Sequence, residues 1–319
     1  TIVQDKAGAI RQDHLLVGQQ ILTDHFVSSI KGRLFTSKGK TPDEEMYSGG
    51  CIFVDHATNH IHIEFQKRLN THETITGKQS YETMCLDFGV VPQSYLSDNA
   101  TAFTSHAFEL HLENFSQHIR FAGAGAHHHN GHAERAIRTV MSIAQTMMLH
   151  SAIHWPDVAD PCLWPMAVQH AAFLYNHMPN LENGLTPHDL FSKTRWEHRR
   201  FLDLHVWGCP VYVLDKTLSD GKKIPKWKPR SQRCIYVGLS KKHATSVPLV
   251  LNPITGTITA QFHVVFDDWF ATIASSVDLM PDFNSDEWIH MFGDSTFQYP
   301  FETDEDSSLS DQPHPLLQT

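Results

Sequence analysis

Three acidic residues occupy positions from which they could act together. Asp24 lies in the first predicted strand, Asp98 ends a later strand, and Glu134 lies near the start of a helix. Thirty-five residues separate Asp98 from Glu134. If the two strands are neighbours and the helix packs across their edge, the three carboxylates converge. Converged carboxylates repel one another unless a cation neutralises them.

Metal-assisted phosphoryl transfer is the chemistry that such a cluster suits. Carboxylate oxygens that leave coordination positions to water and phosphate favour Mg²⁺ or Mn²⁺. Two ions about 4 Å apart can activate a water or a 3′-hydroxyl on one side of a phosphorus and stabilise the leaving oxygen on the other. Asp55 also ends a predicted strand and competes with Asp24 for the role of first ligand. Because a hairpin turn follows it, we interpret Asp55 as structural.

Residues 127–147 predict a loop that becomes an amphipathic helix, which would position Glu134. Asn130, Glu134 and Arg138 are spaced four apart and share one face of this helix. Apolar residues at steps of three and four predict a buried stripe on another face: Ala133, Ile137, Val140, Ala144 and Met147. The preceding histidines, residues 127–129, are adjacent and cannot all face one ion, so we favour a solvated active-site loop that touches DNA over a metal site.

The first half of the chain predicts strands and helices in the order β-β-β-α-β-α-β-α. That order is typical of an α/β fold with a mixed sheet flanked by helices. Thr71 or Thr74 is the predicted cap of the first helix, and Ser105 that of the second. The predicted strands are residues 19–27, 50–55, 61–65, 94–98 and 118–121, and the predicted helices are 71–88, 105–115, the helix that carries Glu134, and 155–177.

From residue 204 onward the pattern changes to short alternating strands at 206–213, 234–238 and 257–266, which suggest a small β-barrel-like domain. Residues 271–319 have little periodicity and predict an acidic, disordered tail, with a short docked piece at 288–297. The predicted organisation is therefore an N-terminal linker (1–16), a catalytic core (17–190), a basic β-rich domain (191–270) and the tail (271–319).

Charge is distributed unevenly along the 319 residues. The net charge of −10 argues against a nucleic-acid binder, but residues 267–319 hold 12 acidic residues and no Lys or Arg. Residues 191–245 hold 13 basic and 4 acidic residues. No run is apolar enough for a membrane span, and no signal peptide precedes the first strand, so we expect an intracellular protein without a membrane partner. The five widely spaced cysteines predict no disulfide framework and no paired-cysteine zinc site.

Several sequence blocks carry a resemblance to a known family. They are Asp24, then Ser97-Asp98-Asn99, and the block His129-Asn130-Gly131-His132-Ala133-Glu134-Arg135, with thirty-five residues between Asp98 and Glu134. Together they resemble the catalytic core of retroviral-type integrases, and more narrowly that of Copia-type long-terminal-repeat retrotransposons. Residues 206–212, 229–238 and 264–268 are similar to the segment that follows the core in that family. The resemblance covers roughly residues 15–270.

The resemblance implies a ribonuclease H-like fold and a polyprotein origin. It also implies that Asp24, Asp98 and Glu134 bind two Mg²⁺ or Mn²⁺ ions and catalyse DNA integration. The family trims DNA 3′ ends by hydrolysis and then joins each 3′-hydroxyl to a target phosphodiester. By the same resemblance the partners are element and target DNA, the active form is a homo-oligomer, and the location is the nucleus, with a cytoplasmic particle before import.

The chain departs from the family's pattern at Ala100, Ala102 and Ala126, and the family's zinc-binding His/Cys module is missing from this chain. A decayed, nucleic-acid-binding relic is therefore the alternative function. Arg135 and Arg138 could contact DNA or form salt bridges. For the basic stretch we favour phosphate contact over a solvated loop, because Trp227 lies within it. The predicted DNA-binding residues are Asn130, Gly131, Arg135, Arg138, Lys226, Lys228, Arg230 and Arg233.

Overall fold

The computed structural model describes residues 15–35, 43–122, 131–181, 183–195, 204–243, 247–274, 280–286 and 288. Two five-stranded sheets and the helices that pack against them account for most of this part of the chain. No helix within it is both long and apolar enough to cross a membrane.

The first sheet has the strand order β3-β2-β1-β4-β5, with β1 in the centre. Strands β1, β2 and β3 pair antiparallel, whereas β4 runs parallel to both β1 and β5. This mixed sheet, with its β2–β3 hairpin, is the one predicted from the sequence. The strands are β1 Ile21–Gly32, β2 Tyr47–Asp55, β3 Ile61–Gln66, β4 Ser94–Ser97 and β5 His118–Phe121.

Helices cover both faces of the first sheet, because alternate residues of its central strands point to opposite sides. Ile21 packs in the hydrophobic cluster under the first two helices, whereas its neighbour Leu22 packs in the cluster under the next two. The chain thus has the ribonuclease H-like fold predicted from the sequence. The helices are α1 Thr71–Asp87 and α2 His106–Asn114 on one face, α3 Gly131–His154 and α4 Trp164–His177 on the other, and the short α5 Pro187–Ser192.

Helix caps agree with the prediction for α2 but not for α1. The Ser105 side chain accepts a hydrogen bond from the Phe108 N–H, as predicted. The cap of α1 is Asn70, whose side chain accepts from the Glu73 N–H, so the predictions of Thr71 and Thr74 were wrong. Thr74 is buried and its hydroxyl instead donates to the Asn70 carbonyl oxygen.

Two elements have different lengths from those predicted. Strand β1 continues to Gly32, so Asp24 is its fourth residue and lies before its middle. The predicted helix over residues 155–177 is broken into two 3₁₀ turns, Pro156–Val158 and Pro161–Leu163, before α4 begins at Trp164. Proline has no backbone N–H to donate, which explains why each turn starts at a proline.

The second sheet is antiparallel throughout and has the order β10-β6-β7-β8-β9. The predicted strand over residues 257–266 is divided into two, and the sequence analysis missed β8. The elements are β6 Pro210–Leu214, α6 Lys216–Ser219, β7 Ser231–Leu239, β8 Pro248–Leu251, β9 Ile258–Ala260 and β10 Val264–Phe266.

This second sheet is strongly curled. Its edge strands β9 and β10 are joined by only three residues, 261–263. In a flat five-stranded sheet the edges would lie about 19 Å apart, given about 4.8 Å between strands. The four Cα steps from Ala260 to Val264 reach at most about 14 Å. The sheet therefore bends towards a barrel, although no pairing between β9 and β10 closes it within the described residues.

The second sheet packs directly on α3 and α4, and one continuous hydrophobic cluster joins them. The φ of Gly208 is +80°, and a Cβ added to it would overlap the Ser151 side chain of α3. Tyr236 of β7 and His170 of α4 meet edge to face, with ring centroids 5.8 Å apart. Trp288 is buried in the same cluster, so part of the predicted docked piece is indeed docked.

Candidate active site

Strand β1 presents Asp24 to the face of the sheet that α3 covers. Leu22 and Phe26, two residues to either side of Asp24, both pack in the cluster formed with α3 and α4. Since side chains alternate along a strand, Asp24 lies on that same face. His25 lies on the opposite face, where its Nε2 is 3.0 Å from Thr74 Oγ1 of α1.

The parallel pairing of β1 with β4 sets Asp98 level with Asp24. Ile21 pairs with Tyr95 and Leu22 with Leu96. Continued two residues along both chains, this register places Asp98 beside Asp24, one strand spacing of about 4.8 Å away. The predicted neighbour relation between their two strands is thus observed.

A turn at the end of β4 holds Asp98 in place. Its Oδ1 accepts a hydrogen bond from the Ala100 N–H at 3.1 Å. The amide of Asn99 donates to the Ala122 carbonyl oxygen at 3.0 Å, which ties this turn to the end of β5. The side chains of Asp98 and Asn99 in the Ser97-Asp98-Asn99 tripeptide therefore have a structural role in addition to any chemical role.

Helix α3 carries Glu134 in its first turn, and Glu134 is partly exposed. The buried stripe includes Ala133, Ile137, Val140 and Ala144, as predicted from their spacing. Met148 rather than the predicted Met147 is the buried methionine of that stripe, and Met147 packs at its margin. The stripe packs α3 against β1, and Glu134 lies near enough for its charge to act on Asp24.

Electrostatic interaction among the three carboxylates is evident in the pKa of Asp24. Burial, followed by the negative charges of Asp98 and, to a smaller extent, Glu134, raises that pKa from 3.8 to about 8. A hydrogen bond from the His25 N–H to Asp24 Oδ1, at 2.8 Å, acts in the opposite direction. Burial also lowers the pKa of His25 to about 4, so at neutral pH this histidine adds no positive charge.

The donor set suits a hard divalent cation, since carboxylate oxygens favour such ions and their mutual repulsion is what a cation would relieve. As placed, however, no three His, Cys, Asp or Glu side chains within the described residues stand close enough to enclose a metal ion. The charge and the oxygen donors of the three residues therefore suit a divalent cation, but the side chains as placed do not surround a metal-ion position.

Asp55 has a structural role at the start of β1, where it pairs with Ile21. Its Oδ1 accepts from the Gly18 N–H at 2.7 Å. Its Oδ2 accepts from the N–H and the hydroxyl of Thr58, at 3.0 and 2.7 Å. Both oxygens of this fully buried carboxylate are thus used to hold the hairpin turn.

The predicted DNA-binding residues near the site are Gly131, Arg135 and Arg138. Both arginine side chains are exposed on α3, away from its buried stripe, and Gly131 is partly exposed at its first position. Asn130 and the three histidines at 127–129 lie outside the described residues. The DNA-binding role of all four predicted residues here stays a prediction.

A second group of predicted DNA contacts lies in the basic segment, which we define as residues 222–233. Lys226 and Arg230 are exposed, and Lys226 Nζ lies 5.8 Å from the ring centroid of Trp227, itself 92% exposed. Lys228 forms an ion pair with Asp215 at 3.3 Å. Arg233 lies over the ring of Trp155, 5.3 Å from its centroid. Arg233 therefore also links the second sheet to the residue that follows α3.

The sequence analysis missed the role of the Asp268 carboxylate, which joins the residues after β10 to the residues before β6. Asp268 Oδ1 accepts from the Val206 N–H at 2.8 Å, and its Oδ2 lies 2.9 Å from His205 Nδ1. The Cys209 thiol approaches the same carboxylate at 3.7 Å. The sequence contained a hint of this contact, because residues 206–212 and 264–268 are two of the blocks in which the family resemblance continues. The contact joins these two blocks.

Comparison with known proteins finds that the chain is similar to transposon-encoded polyproteins. It is 28% identical over 222 residues to the retrovirus-related Pol polyprotein from transposon RE1 of Arabidopsis thaliana, a match that covers 68% of this chain and 14% of that protein. It is 26% identical over 148 residues to the corresponding polyprotein from transposon TNT 1-94 of Nicotiana tabacum, covering 44% and 10% respectively. The chain thus spans about a seventh or less of the length of these curated relatives.

Solved structures with related folds were also found, and no protein-family model matches the chain. The HTLV-2 integrase catalytic core domain in complex with magnesium, in its trimeric form, aligns with 16% identity and a TM-score of 0.40, covering 56% of this chain and 98% of that one. The simian T-cell lymphotropic virus intasome in complex with the PP2A regulatory subunit B56 gamma aligns with 17% identity and a TM-score of 0.41, covering 82% and 80%.

Proposed function

We propose that this chain, a homologue of the Pol polyproteins of Copia-type long-terminal-repeat retrotransposons, is a metal-dependent polynucleotidyl transferase of the integrase type. The observation that supports the proposal is that the charges of Asp98 and Glu134, which come from a neighbouring strand end and a helix, both raise the pKa of Asp24. The reaction would trim the 3′ ends of element DNA and join them to target DNA.

The three carboxylates would hold Mg²⁺ or Mn²⁺, in a two-ion site, and the bound metal would supply activation of the attacking oxygen and stabilisation of the leaving one. The chain itself contributes the positions of the three carboxylates. The β1–β4 register fixes Asp24 and Asp98 side by side, and the buried stripe of α3 fixes Glu134 above them. Because the pKa of Asp24 is about 8 without metal, metal binding at neutral pH requires release of the proton from Asp24.

DNA would be held by exposed cations on either side of this site. Arg135 and Arg138 extend from the helix that carries Glu134, and the basic segment extends from the second sheet. Cations of this kind contact phosphates and fix the orientation of a duplex without reading its sequence. We further propose that the active form is a homo-oligomer that holds two DNA ends, and that it acts in the nucleus.

A second candidate, a nucleic-acid-binding relic without catalysis, is favoured by two observations. The carboxylates form no finished metal cage within the described residues. In addition, alanines occupy positions 100 and 102 in the turn after Asp98, and Ala102 is buried. Both functions use the same fold and the same cations, so only the chemical step separates them.

A strand-transfer assay distinguishes the two candidates. The 319-residue chain is incubated with a short duplex and Mn²⁺, beside Asp98→Asn, with Asp87→Asn as a matched control on the exposed end of α1. We expect joined product from the parent and the control and none from Asp98→Asn. Equal product from the parent and Asp98→Asn would exclude Asp98 as a metal ligand. Absence of product with intact, salt-dependent DNA binding would favour the relic.

A further inference from the structure

The basic segment is a surface on which most of the positive charge is not paired with an acidic side chain of the described residues. It carries six basic side chains and no acidic one over residues 222–233. All six are exposed, and among them only Lys228 forms an ion pair with a described acidic residue. The nearest structured acidic groups in sequence, Asp215 and Asp220, precede it on and beside α6.

The same chain contains a segment of opposite charge. Residues 294–311, which we call the acidic segment, hold no Lys or Arg and the six carboxylates Asp294, Glu302, Asp304, Glu305, Asp306 and Asp311. Four of these six fall within residues 302–306. The number of carboxylates equals the number of cations in the basic segment.

The structure shows how close to the basic segment this part of the chain starts. Trp288 is 6% exposed and lines a small cavity with Ile235 of β7 and Trp207. Ile235 is two residues beyond Arg233, the last cation of the basic segment. From Trp288 the chain to Asp294 can span about 20 Å, and the chain to Glu302 about 45 Å, at about 3.3 Å per residue. The anchored tryptophan therefore holds the acidic segment within reach.

We propose that the acidic segment binds the basic segment of the same chain and competes there with nucleic acid. The contact is electrostatic, and the tether at Trp288 makes it intramolecular, with an effective concentration on the order of millimolar. It must weaken with salt, because the screening length falls from about 10 Å at 0.1 M to about 3 Å at 1 M. Competition with DNA rests on the proposed function, whereas the contact itself does not.

Zero-length carbodiimide coupling of the full chain tests the contact. At low salt we expect the acidic segment to couple to Lys222, Lys223 and Lys226, and 1 M salt to abolish this coupling. A mixture of isotopically light and heavy chains separates coupling within one chain from coupling between chains. Coupling spread evenly over all exposed lysines, or found mainly between chains, would overturn the proposal.

Charge neutralisation in the full chain tests the competition. The variant Glu302→Gln/Asp304→Asn/Glu305→Gln/Asp306→Asn is compared with Glu44→Gln/Glu45→Gln/Glu109→Gln/Glu113→Gln, which changes the net charge equally at exposed sites elsewhere. Four exposed ion pairs predict duplex binding about tenfold tighter in the first variant at low salt and unchanged in the second. If duplex affinity rose equally in both variants, the change in net charge alone would explain the effect, and the proposed competition would be overturned. If no protein binds DNA while the coupling persists, the proposed function fails and the contact stands.

Discussion

Asp98 directly follows β4, the parallel neighbour of the strand that carries Asp24, and the charge of Asp98 raises the pKa of Asp24. Two carboxylates in such a position are costly to ionise together without a cation. The site is therefore strained electrostatically before any ligand binds, and several measurable properties follow from that strain and from the packing around it.

Replacement of Asp24 by Asn should stabilise the metal-free protein at high pH. Since the folded-state pKa, about 8, exceeds the ordinary 3.8, the folded protein retains a proton that the unfolded chain has lost between these values. Stability from this group is complete below pH 3.8 and is lost as pH rises to about 8. Even a third of the shift corresponds to about 2 kcal/mol. Urea unfolding in EDTA at pH 5 and 8.5 measures the stabilisation produced by Asp24→Asn. A smaller stabilisation at pH 8.5 than at pH 5 would contradict the prediction.

Mg²⁺ should stabilise the parent protein but not the Glu134→Gln variant. A ligand at about 100 times its Kd stabilises the folded state by about 2.7 kcal/mol. Glu134 contributes one of the three carboxylates, and its amide analogue keeps the size and removes the charge. Thermal unfolding with increasing Mg²⁺ gives the readout, with Glu113→Gln as an exposed control on α2. An equal rise in Tm for parent and Glu134→Gln would place the ion elsewhere.

Loss of the Asp55 carboxylate should destabilise the fold rather than alter catalysis. Asp55→Ala leaves the buried N–H groups of Gly18 and Thr58 without their acceptor. Unsatisfied buried donors predict a cost of about 2–4 kcal/mol. Denaturant unfolding at pH 7 should therefore distinguish this variant sharply from Asp24→Asn. If Asp55→Ala were as stable as the parent, the carboxylate would not be holding the hairpin turn.

A methyl group at Gly208 should separate the second sheet from α3. Gly208→Ala requires an L residue at φ +80° and overlaps Ser151, so we expect a loss of about 2–4 kcal/mol. Gly184 has a similar φ of +67° but open space around it, so Gly184→Ala isolates the backbone strain, about 1–2 kcal/mol. The difference between the two variants in denaturant unfolding measures the packing against α3. Equal losses would mean that this contact is not tight.

Only one of the five cysteines should react readily with a thiol reagent in the native protein. Cys162 is partly exposed, whereas Cys51, Cys85, Cys209 and Cys234 are buried. Burial raises the pKa of Cys85 to about 12 and that of Cys234 to about 11, which suppresses the reactive thiolate. Titration with a chromogenic disulfide should give about one fast thiol, and five after denaturation. Persistence of that fast thiol in Cys162→Ser would contradict the assignment.

Local patterns in the sequence predicted much of this structure. The strand that carries Asp24, the cap at Ser105 and the stripe of α3 depend on neighbouring residues, and each was found as predicted, apart from Met147 in the stripe. The strand register that sets Asp98 beside Asp24 is a long-range property, and only the spacing of a family resemblance suggested it. No local pattern could have revealed that Asp268 holds Val206, because sixty-two residues separate them.

The sequence predictions were wrong where one local pattern is compatible with two structures. Asn70 and Thr71 are both good helix caps, and the choice was decided by Glu73, whose carboxylate also accepts from the Lys67 and Arg68 N–H groups. Residues 155–177 are apolar at helical spacing, yet Pro156 and Pro161 interrupt the backbone hydrogen bonds. Met147 and Met148 are adjacent on α3, and the structure buries Met148 and leaves Met147 at the margin of the cluster.

The three-residue connection between β9 and β10 has a consequence for how the second sheet opens. An exposed strand edge usually frays independently of the opposite edge and invites pairing with another molecule. Here neither edge strand can move far without pulling the other, because the link is shorter than the width of a flattened sheet. The two edges should therefore exchange their amide hydrogens at similar rates, and the curled sheet should resist joining edge to edge with a second copy.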